Sequence, residues 1–314
     1  MISLKDFDVV GRTYRNVNRY RQILAILFKY GFGNIIDVLK IDQYLGIGLN
    51  MISRKKPERV ERLTQPQRVR LLFEELGPTF IKFGQILSTR PDLIPLHFIF
   101  ELENLQDNVP EFPFSDVQKI LAYEFRDQDN PFVSMEEKPF ASASIGQVHK
   151  AQLKTGETVA VKIQRPRIRK QIKVDLEIMN HLATLMERHI EDLSFFRPVK
   201  IVEEFASTLE KELDYTLEAS NMERVAQQFL YDSTIHIPRV YLGRSTETVL
   251  IMEYVQGIKI SDVDLLDQSG MNRKLLTRQG AEFILKQVFE YGFFHADLHP
   301  GNLFVLPNNV LGPV

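Results

Sequence analysis

The strongest constraint on the fold is a hairpin signal between residues 140 and 166, in a chain whose other long stretches follow helical spacing. Over FASASIGQVHKAQLKTGETVAVKIQRP, small or apolar residues alternate with polar ones, and a turn at Lys154–Glu157 divides the stretch into two runs. A period of two residues predicts strands, and a short interruption that contains glycine predicts a hairpin between them. Strand-like residues return in TVLIMEYVQG. The chain should therefore combine a sheet with helices.

Helical spacing covers much of the remaining sequence. We expect helices over residues 1–56, 67–90, 115–125, 170–192, 200–230 and 273–293. The pair Gly77-Pro78 should divide the second of these into two helices, and Gly292 should end the last one. The order is a helical region, strands with an inserted pair of helices, more strands, then a helix and a loop. This order predicts a two-lobed α+β domain.

Composition narrows the classes of function. The 314 residues are 44% hydrophobic and 25% charged with a net charge of −2, which is typical of a globular protein and gives no basic field for nucleic acid. The chain has no cysteine, which excludes disulfides, thiolate catalysis and cysteine-based zinc sites. It has no run of about 18 apolar residues, so we expect no transmembrane helix. Residues 1–30 carry six basic and two acidic side chains; this region either lies on a membrane surface or packs on protein with a solvated basic side.

One lysine lies at the end of an apolar strand. Lys162 follows Val159-Ala160-Val161, and a charge next to buried valines needs a carboxylate or a phosphate nearby. Upstream lies a loop of small residues, Ala141, Ser142, Ala143 and Ser144, whose backbone N–H groups could approach phosphate oxygens. Loop, hairpin and lysine follow the order of a kinase nucleotide lobe. The alternatives are a lysine that leaves the sheet edge into solvent and an ordinary tight turn.

An acidic partner for Lys162 should come from the glutamate-rich stretch over residues 210–219. Glu212, Asp214 and Glu218 are the candidates. On one continuous helix, Asp214 and Glu218 share a face, and Glu212 points nearly the opposite way. The alternative is a solvated acidic helix.

The sequence FFHADLHPGN holds a second spacing that carries chemistry. Asp297 lies two residues after His295, and Asn302 follows five residues later, as in a kinase catalytic loop. Asp297 would orient the phosphoryl acceptor or water, and Asn302 would hold a metal ion on the phosphates. A zinc site at His295 and His299 lacks a third ligand nearby. The hinge-like run Met252-Glu253-Tyr254 lies between the two motifs, in the order of a kinase.

Five stretches together resemble the UbiB family, also called AarF/ADCK, of atypical kinase-like proteins. They are KFGQ at Lys82–Gln85, ASASIGQVHKA, VAVKIQRP, ELDYTLEASN and HADLHPGN. The resemblance runs from about residue 60 to the end of the chain. It implies a protein-kinase-like fold, with a helical extension over residues 1–130, an N-lobe over 131–256 and part of a C-lobe over 257–314.

The resemblance also implies an activity and a set of site residues. Members of the family act mostly as ATPases or unorthodox kinases linked to ubiquinone and other isoprenoid lipids, with ATP and Mg²⁺ as cofactors. We therefore expect a cytoplasmic chain, with the inner-membrane surface as a second possible location. The resemblance implies that Lys162 contacts the phosphates and that Glu218 pairs with Lys162. It implies further nucleotide contacts for Glu253 and Val255. It also implies that Lys82 and Gln85 cover the pocket and face Glu212 and Asp214.

One departure from the family concerns the residues after Asn302. Kinase-like enzymes carry D-F-G there, and its Asp is the principal metal ligand. The sequence LFVLPNNVLGPV contains no Asp or Glu. We expect a chain that is truncated before DFG, with a degraded, non-catalytic relative as the alternative. The competing functions are an ATP-dependent enzyme of quinone or lipid metabolism, and a module that binds nucleotide or a lipid surface without turnover.

Overall fold

The computed structural model describes residues 13–41, 58–105, 110–127, 129–294 and 300–314. The described residues form two compact units. The first unit takes its residues from Met1–Glu111, Ser142–Ile145 and Arg165–Lys211. The second unit takes its residues from Phe112–Ala141, Gly146–Gln164 and Glu212–Val314. The α+β class that the sequence predicts is confirmed.

The first unit is helical. Its helices are α1 (Thr13–Lys29), α2 (Gly33–Val38), α3 (Glu58–Glu61), α4 (Gln65–Leu76), α5 (Pro78–Ser88), α6 (Leu96–Leu102), α8 (Ile168–His189), α9 (Glu191–Ser194) and α10 (Pro198–Glu212). Thr64 starts α4 with a capping box, in which its side chain accepts from the Gln67 amide and the Gln67 side chain accepts from the Thr64 amide. Gly77 ends α4 at a φ of 95°, which favours glycine, and Pro78 begins α5. The predicted division at Gly77-Pro78 is confirmed.

A buried carboxylate connects three helices of the first unit. Asp175 on α8 is fully buried and accepts from Arg19 Nε on α1 at 2.6 Å and from Thr79 Oγ1 on α5 at 2.7 Å. Arg19 Nη2 also donates to the Leu76 carbonyl at 2.6 Å, at the end of α4. A buried charge is tolerated when it is paired and hydrogen-bonded, and these contacts therefore fix α1 on the helices around it.

Within its described residues, the second unit contains two antiparallel sheets and four α-helices. Its elements are α7 (Phe114–Glu124), β1 (Phe132–Met135), β2 (Ala141–Ser142), β3 (Gly146–Leu153), β4 (Thr158–Gln164), α11 (Tyr215–Gln228), β5 (Val249–Glu253), β6 (Ile258–Lys259), α12 (Val263–Gln268), α13 (Arg273–Leu285), β7 (Leu303–Leu306) and β8 (Val310–Pro313). The larger sheet has the order β1-β3-β4-β5, with β2 beside β3, and the smaller sheet has the order β6-β7-β8. The predicted hairpin is formed by β3 and β4.

The larger sheet is covered on both faces, which explains its apolar strands. On one face, residues such as Val159, Val161 and Ile163 pack with Val117 and Leu121 of α7. On the other face, a second cluster joins the sheet to α11; its buried members are Ala160, Tyr215, Ala219, Val240, Leu250 and Met252. Lys162 lies on this second face, because strand residues alternate between faces.

The structure corrects one helix prediction. Residues 200–230 do not form one helix: α10 ends at Glu212 and α11 begins at Tyr215. Asp214 caps α11, because its side chain accepts from the Thr216 amide and offers an alternative to the helical ladder. The predicted face shared by Asp214 and Glu218 is therefore wrong, since Asp214 is outside the helix.

Two further predictions concern the ends of the chain. Of the helical region predicted over residues 1–56, the described part holds α1 and α2. The predicted helix over 273–293 is α13 followed by a π-helical turn over Lys286–Tyr291, and Gly292 ends it at a φ of 60° as expected. Among the described residues, no helix has both the length and the apolar composition needed to cross a membrane.

Candidate functional site

Lys162 and Glu218 form an ion pair on the face of the larger sheet that α11 covers. Lys162 Nζ donates to Glu218 Oε1 at 2.7 Å and to Oε2 at 2.9 Å. The two side chains keep 26% and 36% of their accessible surface, so the pair is partly open to solvent. The resemblance to the UbiB family implies Glu218 as the partner of Lys162, and the two side chains are in contact in the structure.

The surroundings of Lys162 keep its side chain charged. Burial acts to lower the pKa of the ammonium, but the carboxylate of Glu218 outweighs this effect, with smaller contributions from Tyr215 and Glu212, and the pKa is raised. The ammonium also lies over the Tyr215 ring, 4.9 Å from its centroid. A cation in this position can bind an anion such as a phosphate group.

The beginning of α11 is fixed to the sheet by the buried side chain of Gln164. Gln164 Nε2 donates to the carbonyl of Leu213 at 2.6 Å and to that of Glu247 at 3.0 Å. The Tyr215 amide donates to the same Glu247 carbonyl at 3.1 Å. These bonds join the end of β4, the start of α11 and the residues before β5, and they set the position from which Glu218 reaches Lys162.

An apolar strip lies beside the ion pair. In the antiparallel register, Lys162 is opposite Val148 and Leu250, and Ala160 is opposite Met252. These side chains share one face of the sheet. Small and aliphatic side chains of this kind suit the flat, apolar surface of an aromatic ring.

The carboxylate of Glu253, at the end of β5, already has two partners. It accepts from His236 Nε2 at 2.9 Å and from the Arg239 amide at 3.1 Å. These bonds hold the segment that precedes β5. Val255, two residues later, is half-buried. The nucleotide contacts predicted for Glu253 and Val255 stay predictions.

The small-residue loop ends at a glycine that the packing requires. A Cβ on Gly146 would lie 2.5 Å from the Ile163 carbonyl oxygen and 2.7 Å from the Tyr215 hydroxyl oxygen, so no other residue fits without a shift of the backbone. Upstream, Ala141 and Ser142 form β2, Ala143 is half-buried and Ser144 is buried. The phosphate contacts predicted for these loop residues stay predictions.

The KFGQ stretch lies on α5 in the first unit. Lys82 and Gln85 are half-buried, and Gln85 Nε2 donates to the Leu105 carbonyl at 3.3 Å. Between them, Gly84 allows close packing, since a Cβ there would lie 2.3 Å from Leu105 Cδ1. Of the two residues predicted to face Lys82, Glu212 ends α10 and Asp214 caps α11. The predicted cover over a nucleotide stays a prediction.

Of the residues predicted for the catalytic loop and its metal ion, Asn302 alone lies in the part of the chain that the structure describes. Asp297, with His295 and His299, lies outside the described residues. Asn302 ends a 3₁₀ turn before β7, and its carbonyl accepts from the Val314 amide at 2.8 Å. The described residues contain no cluster of three His, Cys, Asp or Glu side chains that could hold a metal ion. An amide oxygen alone is a poor match for Mg²⁺, which favours carboxylates, so this part does not form a magnesium site by itself.

Sequence reasoning missed a buried polar network on β3. Gln147 and His149 are fully buried. Gln147 Oε1 accepts from the Phe112 amide at 3.0 Å, and His149 Nδ1 lies 2.8 Å from the Glu136 carbonyl oxygen. A carbonyl only accepts, so Nδ1 carries the proton and Nε2 accepts from Gln147 at 2.8 Å. The signal was two polar residues at inward positions of an alternating strand.

Comparison with known proteins identifies the family. The ABC1 atypical kinase-like domain matches residues 104–312. The "Probable protein kinase UbiB" of Aliivibrio fischeri ES114 is 39% identical over 306 residues, covering 96% of this chain and 56% of that protein. The protein of the same name in Marinobacter nauticus is 41% identical over 253 residues, covering 80% of this chain and 46% of that protein. The chain thus spans about half the length of these relatives.

A solved structure is similar as well. It is the complex of Rv3197 with erythromycin from Mycobacterium tuberculosis, with a TM-score of 0.54 and 29% identity over 77% of this chain and 61% of that one. The motifs, the mixed fold and the domain match point to one group of proteins. The chain belongs to the UbiB family of proteins with an ABC1 atypical kinase-like domain.

Proposed function

We propose that the chain binds ATP on the α11 face of the larger sheet. The observation that carries this proposal is the Lys162–Glu218 ion pair, which presents a fixed, partly exposed cation beside an apolar strip. The strip of Val148, Ala160 and Met252 would hold the base, and Lys162 would contact the α- and β-phosphates. Glu218 would orient the ammonium, and Glu253 and Val255 would lie along the adenine edge.

The loop of residues 141–144, the catalytic loop and the first unit have further roles in this proposal. Backbone N–H groups at Ala141, Ser142, Ala143 and Ser144 would approach the phosphates. Asp297 would orient the phosphoryl acceptor or water, and Asn302 would supply one oxygen to Mg²⁺, which neutralises phosphate charge when bound. Lys82 and Gln85 would cover the nucleotide. We keep residues 1–130, 131–256 and 257–314 as the proposed extension, N-lobe and partial C-lobe.

We further propose that the protein acts as an unorthodox kinase or ATPase in ubiquinone or other isoprenoid-quinone biosynthesis. Support comes from the relatives named "Probable protein kinase UbiB", of which one is 39% identical over 96% of this chain. Isoprenoid intermediates are held at a membrane, so the site of action would be the cytoplasmic side of the inner membrane. The test is the quinone content of cells that carry Lys162→Ala in place of the wild-type residue; content equal to wild type would contradict this role.

A matched pair of lysine variants tests nucleotide binding. Lys154 lies on the same hairpin, and its Nζ pairs with Asp129 at 2.7 Å at an exposed position. Titration of a fluorescent ATP analogue should show an affinity for Lys162→Ala that is weaker by about tenfold or more, since a charge-assisted hydrogen bond is lost. Lys154→Ala should bind as the wild type does. Equal affinities of all three proteins would refute the site.

A second candidate function is nucleotide binding without turnover. It uses the same cation and carboxylate, Lys162 and Glu218, but needs no magnesium ligand. Phosphate release in the presence of Mg²⁺ decides between the two functions. Hydrolysis that Asp297→Asn abolishes supports the enzyme, whereas ATP binding with no phosphate release supports the binding module.

A further inference from the structure

The hydroxyl of Tyr215 has no hydrogen-bond partner among the residues that the structure describes. The residue is 1% exposed and lies at the first position of α11. A hydroxyl that is removed from water without a partner destabilises the fold, and phenylalanine would fill the same space without this cost. A buried polar group of this kind calls for a partner outside the described residues, such as a water molecule, an ion or a ligand.

Tyr215 lies against the proposed phosphate site. Its ring is next to the Lys162 ammonium, at 4.9 Å from the centroid, and Lys162 also bonds to Glu218, three residues along the same helix. The hydroxyl lies over Gly146, where a Cβ would come within 2.7 Å of the oxygen. The cation therefore lies over the ring, and the hydroxyl is covered by a residue that has no side chain.

The hydroxyl is a donor at neutral pH. Burial raises the pKa of Tyr215 to about 12, so the phenol keeps its proton. Tyr215 is 1% exposed and its hydroxyl lies under Gly146, so a ligand reaches the hydroxyl only when the backbone at Gly146 moves, and no side chain there has to be displaced. The natural acceptor beside a lysine ammonium is an anion, because the cation already concentrates negative charge there.

We propose that the Tyr215 hydroxyl donates a hydrogen bond to a phosphate oxygen of the nucleotide that Lys162 holds. This inference rests on the proposed ATP site. It gives the phosphate a second contact, the neutral Tyr215 hydroxyl, beside the charged Lys162 ammonium. Tyr215 is then a phosphate-binding residue, and its hydroxyl, which has no partner among the described residues, gains one when the ligand binds.

The test compares Tyr215→Phe with wild type in two measurements. Thermal unfolding without nucleotide should show an unchanged Tm or an increase of about 2 °C, because an unsatisfied hydroxyl is removed. Titration with ATP should show binding that is weaker by about tenfold, because a donor to a charged phosphate is lost. Adenosine, which has no phosphate, should bind both proteins with equal affinity.

Tyr20→Phe is the matched control, since Tyr20 is also a buried tyrosine but its hydroxyl lies 3.0 Å from His181 Nδ1. This variant should lose Tm and keep its ATP affinity. A Tm loss in Tyr215→Phe as large as that in Tyr20→Phe would show that the hydroxyl is bonded in the free protein, which overturns the inference. ATP affinity equal to wild type in Tyr215→Phe but reduced in Lys162→Ala also overturns it and leaves the ATP site standing. Equal ATP affinity in both variants overturns the site and the inference together.

Discussion

Replacement of Arg19 by alanine should destabilise the first unit strongly. Asp175 is fully buried, and the Arg19 side chain keeps 17% of its surface exposed. Arg19 donates to both carboxylate oxygens, from Nε to Oδ1 at 2.6 Å and from Nη2 to Oδ2 at 3.1 Å. After the substitution, Thr79 Oγ1 is the remaining side-chain donor described for that carboxylate.

The magnitude follows from the burial of the partner that remains. Loss of one member of a buried ion pair typically costs about 3–5 kcal/mol, because the other charge is left uncompensated. The partial exposure of Arg19 lets water reach the carboxylate, so we expect the lower end, about 3 kcal/mol. For a unit of about 150–250 residues, a range that includes the first unit, that corresponds to a fall in Tm of about 6–12 °C.

The assay is unfolding in urea, followed by circular dichroism. Arg21→Ala is the control, because Arg21 is exposed on the same helix and is also an arginine in a helical position. Asp175→Asn combined with Arg19→Ala should recover part of the loss, since no buried charge remains. If Arg19→Ala unfolds within error of Arg21→Ala, the conclusion that this pair fixes α1 is wrong.

Three further predictions concern packing and pH. Gly84→Ala should destabilise by about 1–3 kcal/mol in a urea titration, since its Cβ would lie 2.3 Å from Leu105 Cδ1 and 2.7 Å from Phe73 Cδ2; stability equal to wild type would contradict this packing. Gly280→Ala in α13 should stabilise by about 0.5–1 kcal/mol, because the nearest atom to its Cβ is 3.9 Å away and alanine favours a helix; a loss of stability would count against it. The hydrogen bond from Lys286 holds the pKa of Asp232 in the folded protein below its ordinary value. This carboxylate therefore stabilises the fold fully at pH values above its unfolded pKa of about 4. Its contribution to stability is lost as the pH falls through the lower, folded pKa. Asp232→Asn should therefore be less stable than wild type at pH 7 and converge with it in acid; a constant difference across that range would refute the assignment.

The sequence predicted the helix break and the hairpin, because residues next to each other in the chain determine both features. The break at Gly77-Pro78 was predictable because Gly77 needs a positive φ and Pro78 fits the first turn of a helix. The β3–β4 hairpin was predictable from its alternation. The break between α10 and α11 was missed because Asp214 lies within a stretch rich in strong helix formers, Glu210–Leu213 before it and Leu217–Ala219 after it. These residues hid the capping signal of an aspartate two residues before Thr216.

Features that depend on distant partners could not be predicted. Gln147 bonds to Phe112, 35 positions away, and His149 bonds to the carbonyl of Glu136, 13 positions away. A backbone partner leaves no chemical signal in the sequence, so the inward-facing polar residues were visible but their function was not. The Lys162–Glu218 pair was predictable at a separation of 56 positions because both partners are charged and the family motifs contain them.

Two buried polar residues near Lys162, Gln164 and Tyr215, differ in whether their polar atoms have partners in the described structure. Gln164 is buried and its amide nitrogen is fully used by two carbonyls, so it stabilises the position of α11 whether or not nucleotide is present. Tyr215 is buried on the same face, yet its hydroxyl is left without a partner in the described structure. Natural sequences depart from good packing chemistry chiefly at functional sites. The difference between these two neighbours therefore supports the proposed ligand position beside Tyr215 and Lys162. It is the reason that loss of the Tyr215 hydroxyl should leave the free protein at least as stable and weaken its affinity for phosphate.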